Sequence, residues 1–174
     1  MLVLVVALLA PATAWADGIF TAFGGASFGG DQSERVTTWG LSVAGMAGGV
    51  FGFELDFGQT AKAETDAVFV IDGRTTTLTG NLIVGVPLGP VRPYAVGGLG
   101  WVRTDVGAAD GSTGRDDGLA VDFGGGLMGF LGDRVGVRID LRYFRAISAG
   151  DDFLDFEFKN LNFVRFTGGL ILHF

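Results

Sequence analysis

Apolar residues alternate with polar residues or glycine along most of this chain, and the alternation runs with a period of two. The clearest stretch is Phe51-Gly52-Phe53-Glu54-Leu55-Asp56-Phe57-Gly58. Phe51, Phe53, Leu55 and Phe57 share one face, and glycines and carboxylates share the other. Residues 135–143 repeat the pattern, with Val135, Val137, Ile139, Leu141 and Tyr143 opposite Gly136, Arg138, Asp140 and Arg142. Counting back in twos from Phe174 gives Leu172, Leu170, Gly168, Phe166 and Val164. His173, Thr167 and Arg165 lie on the other parity, among Ile171 and Phe163. A period of two predicts strands with two chemically different faces. Eight are predicted, over residues 18–28, 36–47, 50–58, 75–86, 91–104, 119–131, 134–147 and 161–174. The fifth, containing Arg92-Pro93-Tyr94-Ala95-Val96-Gly97-Gly98-Leu99-Gly100-Trp101, alternates too weakly for its faces to be assigned.

Two uncharged stretches, residues 36–53 and 75–91, approach the length of a membrane helix, and Gly45-x-x-x-Gly49 has the form of a helix-packing motif. Gly48-Gly49 interrupts the first, and Pro87, Gly89 and Pro90 interrupt the second. The Thr, Val and Phe between these breaks favour strands. Each stretch therefore reads as strands and turns.

The connections alternate in length. Short ones fall at Gly48-Gly49, Pro87-Leu88-Gly89-Pro90 and Gly132-Asp133; long polar ones cover residues 29–35, 59–74, 105–118 and 148–160. Short turns on one side and long loops on the other are the arrangement of an outer-membrane barrel. With an even strand count, all long connections fall at one end.

Together, the alternating strands, the loop asymmetry, the Pro-Tyr glycine-rich fifth strand and a closing strand ending on Phe174 resemble the OmpA-like family of eight-stranded bacterial outer-membrane β-barrels. The resemblance covers residues 17–174 and implies an all-β, membrane-spanning, antiparallel up-and-down barrel. It implies that Phe166, Leu170, Leu172 and Phe174 form the segment read by the barrel-insertion machinery. It further implies periplasmic termini, extracellular long loops, and contact with outer-membrane lipid and lipopolysaccharide. The opposite end agrees: Leu2 to Ala10 is apolar, Pro11 follows, and Ala14-Trp15-Ala16 has the form of a signal-peptidase site. The run is too short to cross ~30 Å of hydrocarbon as a helix. Residues 1–16 are therefore expected to be a cleaved signal, although no Lys or Arg precedes the apolar run.

Composition narrows the function. The chain carries a net charge of −7 and no cysteine, yet its mean hydropathy is +0.44. Disulfides, a thiol nucleophile and Cys-ligated metal are excluded, and an acidic chain without clustered Lys or Arg does not suit nucleic acid. Alternation places Glu54, Asp56, Asp122, Arg138, Asp140, Arg142 and Arg165 in the lumen. Four acids against three bases in so narrow an interior predict a salt-bridge network that stiffens the barrel. A conducting pore would favour one dominant sign. The single histidine, His173, lies by the short-turn rim, away from the serines of the long connections, so no Ser-His-acid site is expected. The long connections are acidic, with Asp105, Asp110, Asp116 and Asp117 in the third and Asp151, Asp152, Asp155 and Glu157 in the fourth, and Asp110-Gly111-Ser112-Thr113-Gly114 lacks the carboxylate spacing of a calcium loop. No cofactor or metal site is expected. The reading is a monomeric, non-enzymatic barrel serving envelope structure and surface contact through its acidic loops. The alternative is a narrow pore or passive transporter for a small or apolar solute.

Overall fold

A computed structural model of the chain describes residues 16–29, 36–61, 73–107, 113–149 and 156–174. Residues 1–15 of the expected signal segment and the tips of the long connections lie outside the described residues, while Ala16, its last expected residue, is the first of β1. The eight strands are β1 (Ala16–Phe28), β2 (Val36–Ala47), β3 (Phe51–Ala61), β4 (Gly73–Gly85), β5 (Val91–Gly107), β6 (Thr113–Phe130), β7 (Val135–Ala149) and β8 (Phe156–His173). Each pairs antiparallel with its neighbours in sequence, and β8 pairs back onto β1 to close the barrel.

Strand register fixes the barrel's shape. A row of paired residues runs from Ile19 through Ala44, Glu54, Asn81, Gly98, Asp122 and Phe144 to Phe163, while Ile19 itself pairs with His173 across the closing seam. The stagger is therefore ten residues (173 − 163) around eight strands. With a rise near ~3.3 Å and strands ~4.8 Å apart, that stagger tilts the strands by about 40°. At this tilt the shortest strand, β3 with 11 residues, spans about 28 Å, enough to cross an outer-membrane hydrocarbon layer of about 25 Å.

The two parities separate cleanly. In β2, every second residue from Val36 to Met46 is buried and every other one is exposed. Outside the barrel stand Leu41, Val43, Phe53, Leu55, Leu82, Phe123, Ile139, Leu141 and Leu170, with Phe53 74% exposed. An apolar exterior of this extent requires lipid. Trp39 and Phe57 meet edge to face, and Phe123 packs on Tyr143, toward the long-connection end of the same surface. Aromatic side chains at this level form a girdle at the membrane interface.

Several predicted boundaries move, nearly all at the long-connection end. β6 starts at Thr113 rather than near residue 119, β5 continues to Gly107, and β8 begins at Phe156. The third and fourth connections are correspondingly shorter than expected. Above the hydrocarbon a hairpin ladder needs only backbone hydrogen bonds, so pairing continues where apolar alternation stops. A bulge between Arg145 and Ile147 shifts the register of β7 on β8 within this extension. At the opposite end, Gly48 and Gly49 take φ of 59° and 68°, which a two-glycine turn accepts without steric cost.

The fifth strand, unassigned from sequence, turns Tyr94, Val96 and Val102 inward and Ala95 and Leu99 outward. Its pattern is weak because the lumen it faces at the short-turn end is itself apolar.

Candidate functional site

The lumen is filled in three tiers. At the short-turn end Ile19, Ala44, Met46, Ile83, Tyr94, Val96, Met128 and Ile171 pack as one buried apolar cluster, with Phe130 against it. Below them, at the rim, Arg92 Nη2 bridges to Asp17 Oδ2 at 3.2 Å and its guanidinium lies 4.9 Å from the centre of the Phe130 ring. His173 sits at this rim, its Nδ1 2.9 Å from the Asp133 carbonyl oxygen and its Nε2 3.7 Å from Asp17 Oδ1. At the other end Phe144 stacks on Phe163 with ring centres 4.7 Å apart. Val36, Val102, Ala120, Ser27, Thr38 and Thr77 are buried there as well.

Between these tiers lies the charged cluster. The structure places all seven sequence-predicted charges, Glu54, Asp56, Asp122, Arg138, Asp140, Arg142 and Arg165, inside the barrel, none more than 4% exposed. Strand pleating puts them there, since each lies on the inward parity of β3, β6, β7 or β8. Arg138 donates to Glu54 Oε2 at 2.6 Å and to Asp140 Oδ2 at 3.1 Å. Arg142 donates from Nε to Asp140 Oδ1 at 2.8 Å and from Nη2 to Glu54 Oε1. Two carboxylates and two guanidiniums thus close a ring, each acid bound by both bases. Tyr94 joins this ring by donating to Asp140 and accepting from Arg138 Nε at 2.7 Å.

Arg165 forms a separate pair. Its Nη2 donates to both oxygens of Asp56, at 2.8 and 2.9 Å, while Phe23 and Phe144 flank the guanidinium at 4.9 and 4.8 Å. Its Nε and Nη1 are buried without a protein partner among the described residues. Arg142 links the rest: its Nη1 lies 3.6 Å from Asp122 Oδ2 and 3.6 Å from Asp56 Oδ2, so Asp122 and the Arg165 pair join the ring through longer ion pairs.

Two members of the cluster were not singled out from the sequence. Tyr94 lies on the strand whose faces could not be read, and Asn81 is neutral. Asn81 shares inward parity with Thr77 and Thr79, which was the available signal. When the amide is oriented to satisfy both its ends, Asn81 Oδ1 accepts from Arg142 Nη1 at 2.8 Å and Nδ2 donates to Asp122 Oδ1 at 2.8 Å. Among the described residues, no group of three or more His, Cys, Asp or Glu is placed to hold a metal ion.

Phe166, Leu170, Leu172 and Phe174 all point outward from the closing seam. Phe174 exchanges two backbone hydrogen bonds of 2.9 Å with Gly18.

A closed eight-stranded antiparallel barrel with charge inside and an apolar exterior is an integral membrane barrel. The chain belongs to the outer membrane protein beta-barrel domain family, whose sequence profile matches residues 1–174. It is a bacterial outer-membrane barrel protein. No curated protein sequence matches the chain. Among solved structures it is similar to Neisserial surface protein A (NspA), with 15% identity, 91% of this chain and 97% of that one covered, and a TM-score of 0.69. The N-terminal barrel domain of Pseudomonas aeruginosa OprF shares 18% identity over 93% of this chain and 100% of that one, with a TM-score of 0.63. Ail, the attachment invasion locus protein of Yersinia pestis, in complex with the heparin analogue sucrose octasulfate, shares 15% identity over 92% and 99%, with a TM-score of 0.61. At these identities the structural likeness speaks for the fold.

Proposed function

We propose that this protein is a monomeric, non-enzymatic and non-conducting outer-membrane barrel that strengthens the envelope and makes surface contacts through its long connections. The observation that carries this reading is the filled lumen. An apolar tier, an ionic tier and an upper tier rich in aromatic and aliphatic side chains occupy it in succession. Eight strands enclose an interior only wide enough for such side chains. In this reading the termini are periplasmic and the long connections extracellular. The outward-facing Phe166, Leu170, Leu172 and Phe174 engage the insertion machinery, and the exterior belt meets outer-membrane lipid and lipopolysaccharide.

Ail crystallises with a sulfated heparin analogue. A sulfated polyanion is not the expected partner here, because Asp151, Asp152 and Asp155 in the fourth connection and Glu157 at the start of β8 would repel it. The contact surface suits a cationic or neutral partner, or divalent cations shared with lipopolysaccharide.

The chain has no cysteine, so orientation is testable with single introduced thiols. Ser112→Cys in the third long connection is expected to react with a membrane-impermeant maleimide on intact cells, and Asp133→Cys in a short turn only after lysis. The reverse pattern would overturn the orientation. For the sealed lumen, liposomes containing the folded protein are expected to be no more permeable to small sugars than empty ones. Protein-dependent swelling would instead favour a passive transporter.

A further inference from the structure

We propose that the exterior of β4 to β7, just above the aromatic belt, binds the phosphate groups of an anionic membrane lipid through Arg74, Arg103 and Arg145. Over the height of the apolar surface the outward parity carries no charge. Every second residue from Phe51 to Phe57, Leu78 to Val84, Val121 to Leu127 and Val135 to Tyr143 is uncharged. Toward the long connections, the first charges met on that face are arginines. Arg103 lies two residues beyond Trp101 on β5, and its guanidinium covers the Trp101 ring at 4.3 Å. Arg74 on β4 is exposed and Arg145 on β7 is half-buried.

The register sets these three at one level. Leu78, Trp101 and Leu119 form a row at the top of the apolar surface; Thr76, Arg103 and Asp117 form the row two residues beyond, and Arg74 lies two residues further along β4. Arg145 pairs with Val121, which pairs with Leu99 on β5. With strands tilted by about 40°, the three arginines fall about 1–7 Å above Trp101 along the barrel axis. Tryptophan on such a surface marks the boundary between hydrocarbon and headgroups, so the arginines stand where lipid phosphates lie. Guanidinium groups suit that layer because their parallel N–H donors match phosphate oxygens. Asp117 accepts from Arg103 Nε at 2.8 Å, but the pair is exposed, with 37% of the Arg103 side chain open, and holds the arginine weakly. Asp105 takes the register position between Arg74 and Arg115; over these positions arginines still outnumber aspartates, four to two. The sector is therefore locally positive in a chain of net charge −7. Among the described residues, the outward positions at this height on the other strands are uncharged: Phe28 on β1, Thr37 on β2, Gln59 on β3, and Asn162 and Val164 on β8.

This inference deepens the lipid contact proposed above and rests on it. Native mass spectrometry of the folded chain in neutral detergent tests it, with four lipids titrated separately. Lipid A, which carries phosphate monoesters, and phosphatidylglycerol, which carries a diester, are each compared with a phosphate-free counterpart, dephosphorylated lipid A and diacylglycerol. At least one phosphorylated lipid is expected to bind at least about tenfold more tightly than its counterpart, and the tighter of the two identifies the source of the phosphate. The triple variant R74Q/R103Q/R145Q, shown to be folded by its gel mobility, is expected to lose that preference, and R74K/R103K/R145K to retain a preference for the phosphorylated lipid. A parent that binds neither phosphorylated lipid better than its counterpart, or a glutamine variant with the parental preference, would overturn the proposal. Failure of the underlying lipid contact is distinguishable, because a barrel whose exterior does not meet lipid would not fold into phosphatidylcholine vesicles. Failure of the phosphate site leaves that folding intact and removes only the preference.

Discussion

Arg138→Ala is the sharpest perturbation of the ionic tier. Arg138 is 4% exposed and binds Glu54, Asp140 and the Tyr94 hydroxyl, with a longer contact of 3.4 Å to Ser42. Its loss leaves Arg142 as the only base in a ring with two carboxylates and takes a hydrogen-bond donor from Tyr94. Breaking a buried pair from one side costs about 3–5 kcal/mol, because the stranded charge remains desolvated. Urea slopes of roughly 1–3 kcal/mol per molar then translate the loss into a midpoint lower by about 1–5 M. Equilibrium unfolding in detergent, followed by tryptophan fluorescence, measures it. The double variant Arg138→Met with Glu54→Gln removes charge from both sides and is expected to recover at least about 1 kcal/mol of the loss. A coupling of that sign and size is normal for residues in direct contact. If Arg138→Ala unfolds within about 0.5 kcal/mol of the parent, the range of an ordinary surface substitution, then the ring does not hold the barrel together.

Other consequences can be checked with simpler assays. The folded chain is expected to migrate differently on a denaturing gel before and after boiling; identical migration would contradict a closed barrel. Leu55→Arg places a charge on the lipid face, where Leu55 is 55% exposed, and should destabilise the barrel by about 2–4 kcal/mol if that position lies near the bilayer midplane; an unchanged midpoint would mean the face does not meet lipid. Gly98→Ala should lower the unfolding midpoint by colliding with the Asn81 amide and the Gly80 carbonyl, whereas a substitution at outward-facing Gly45, whose Cβ direction is open, should not. Gly18→Val should displace the Phe174 ring from the closing seam and slow folding into lipid vesicles; folding at the parental rate would exclude a role for that contact.

How much of this was legible in the sequence depended on contrast between the two faces of each strand. Where the lumen is ionic, as along Phe51 to Gly58 and Val135 to Tyr143, alternation gave strand, face and charged residues together. At the short-turn end both faces are apolar, so Ile19, Met46, Ile83, Val96 and Met128 carried no mark of pointing inward. The same loss of contrast hid the faces of β5, and with them Tyr94. Pairings across the barrel depend on the stagger, which no local pattern encodes. Alternation could collect Arg142, Glu54 and Asp140 in one lumen, but not close them into a ring. Beyond the membrane the ladders of β5 with β6 and β7 with β8 persist on backbone pairing, with an Arg103–Asp117 ion pair across the first, and the sequence pattern stops short of them.

The sealed lumen is tested most directly by planar-bilayer recording of the purified, refolded chain from Asp17 onward, with gel mobility confirming that it is folded. The three-tier filling predicts no discrete current steps above those of protein-free bilayers. Reproducible unitary steps that change when Arg142 is replaced would contradict it and make Glu54, Asp56, Arg138, Asp140 and Arg142 the lining of a pore.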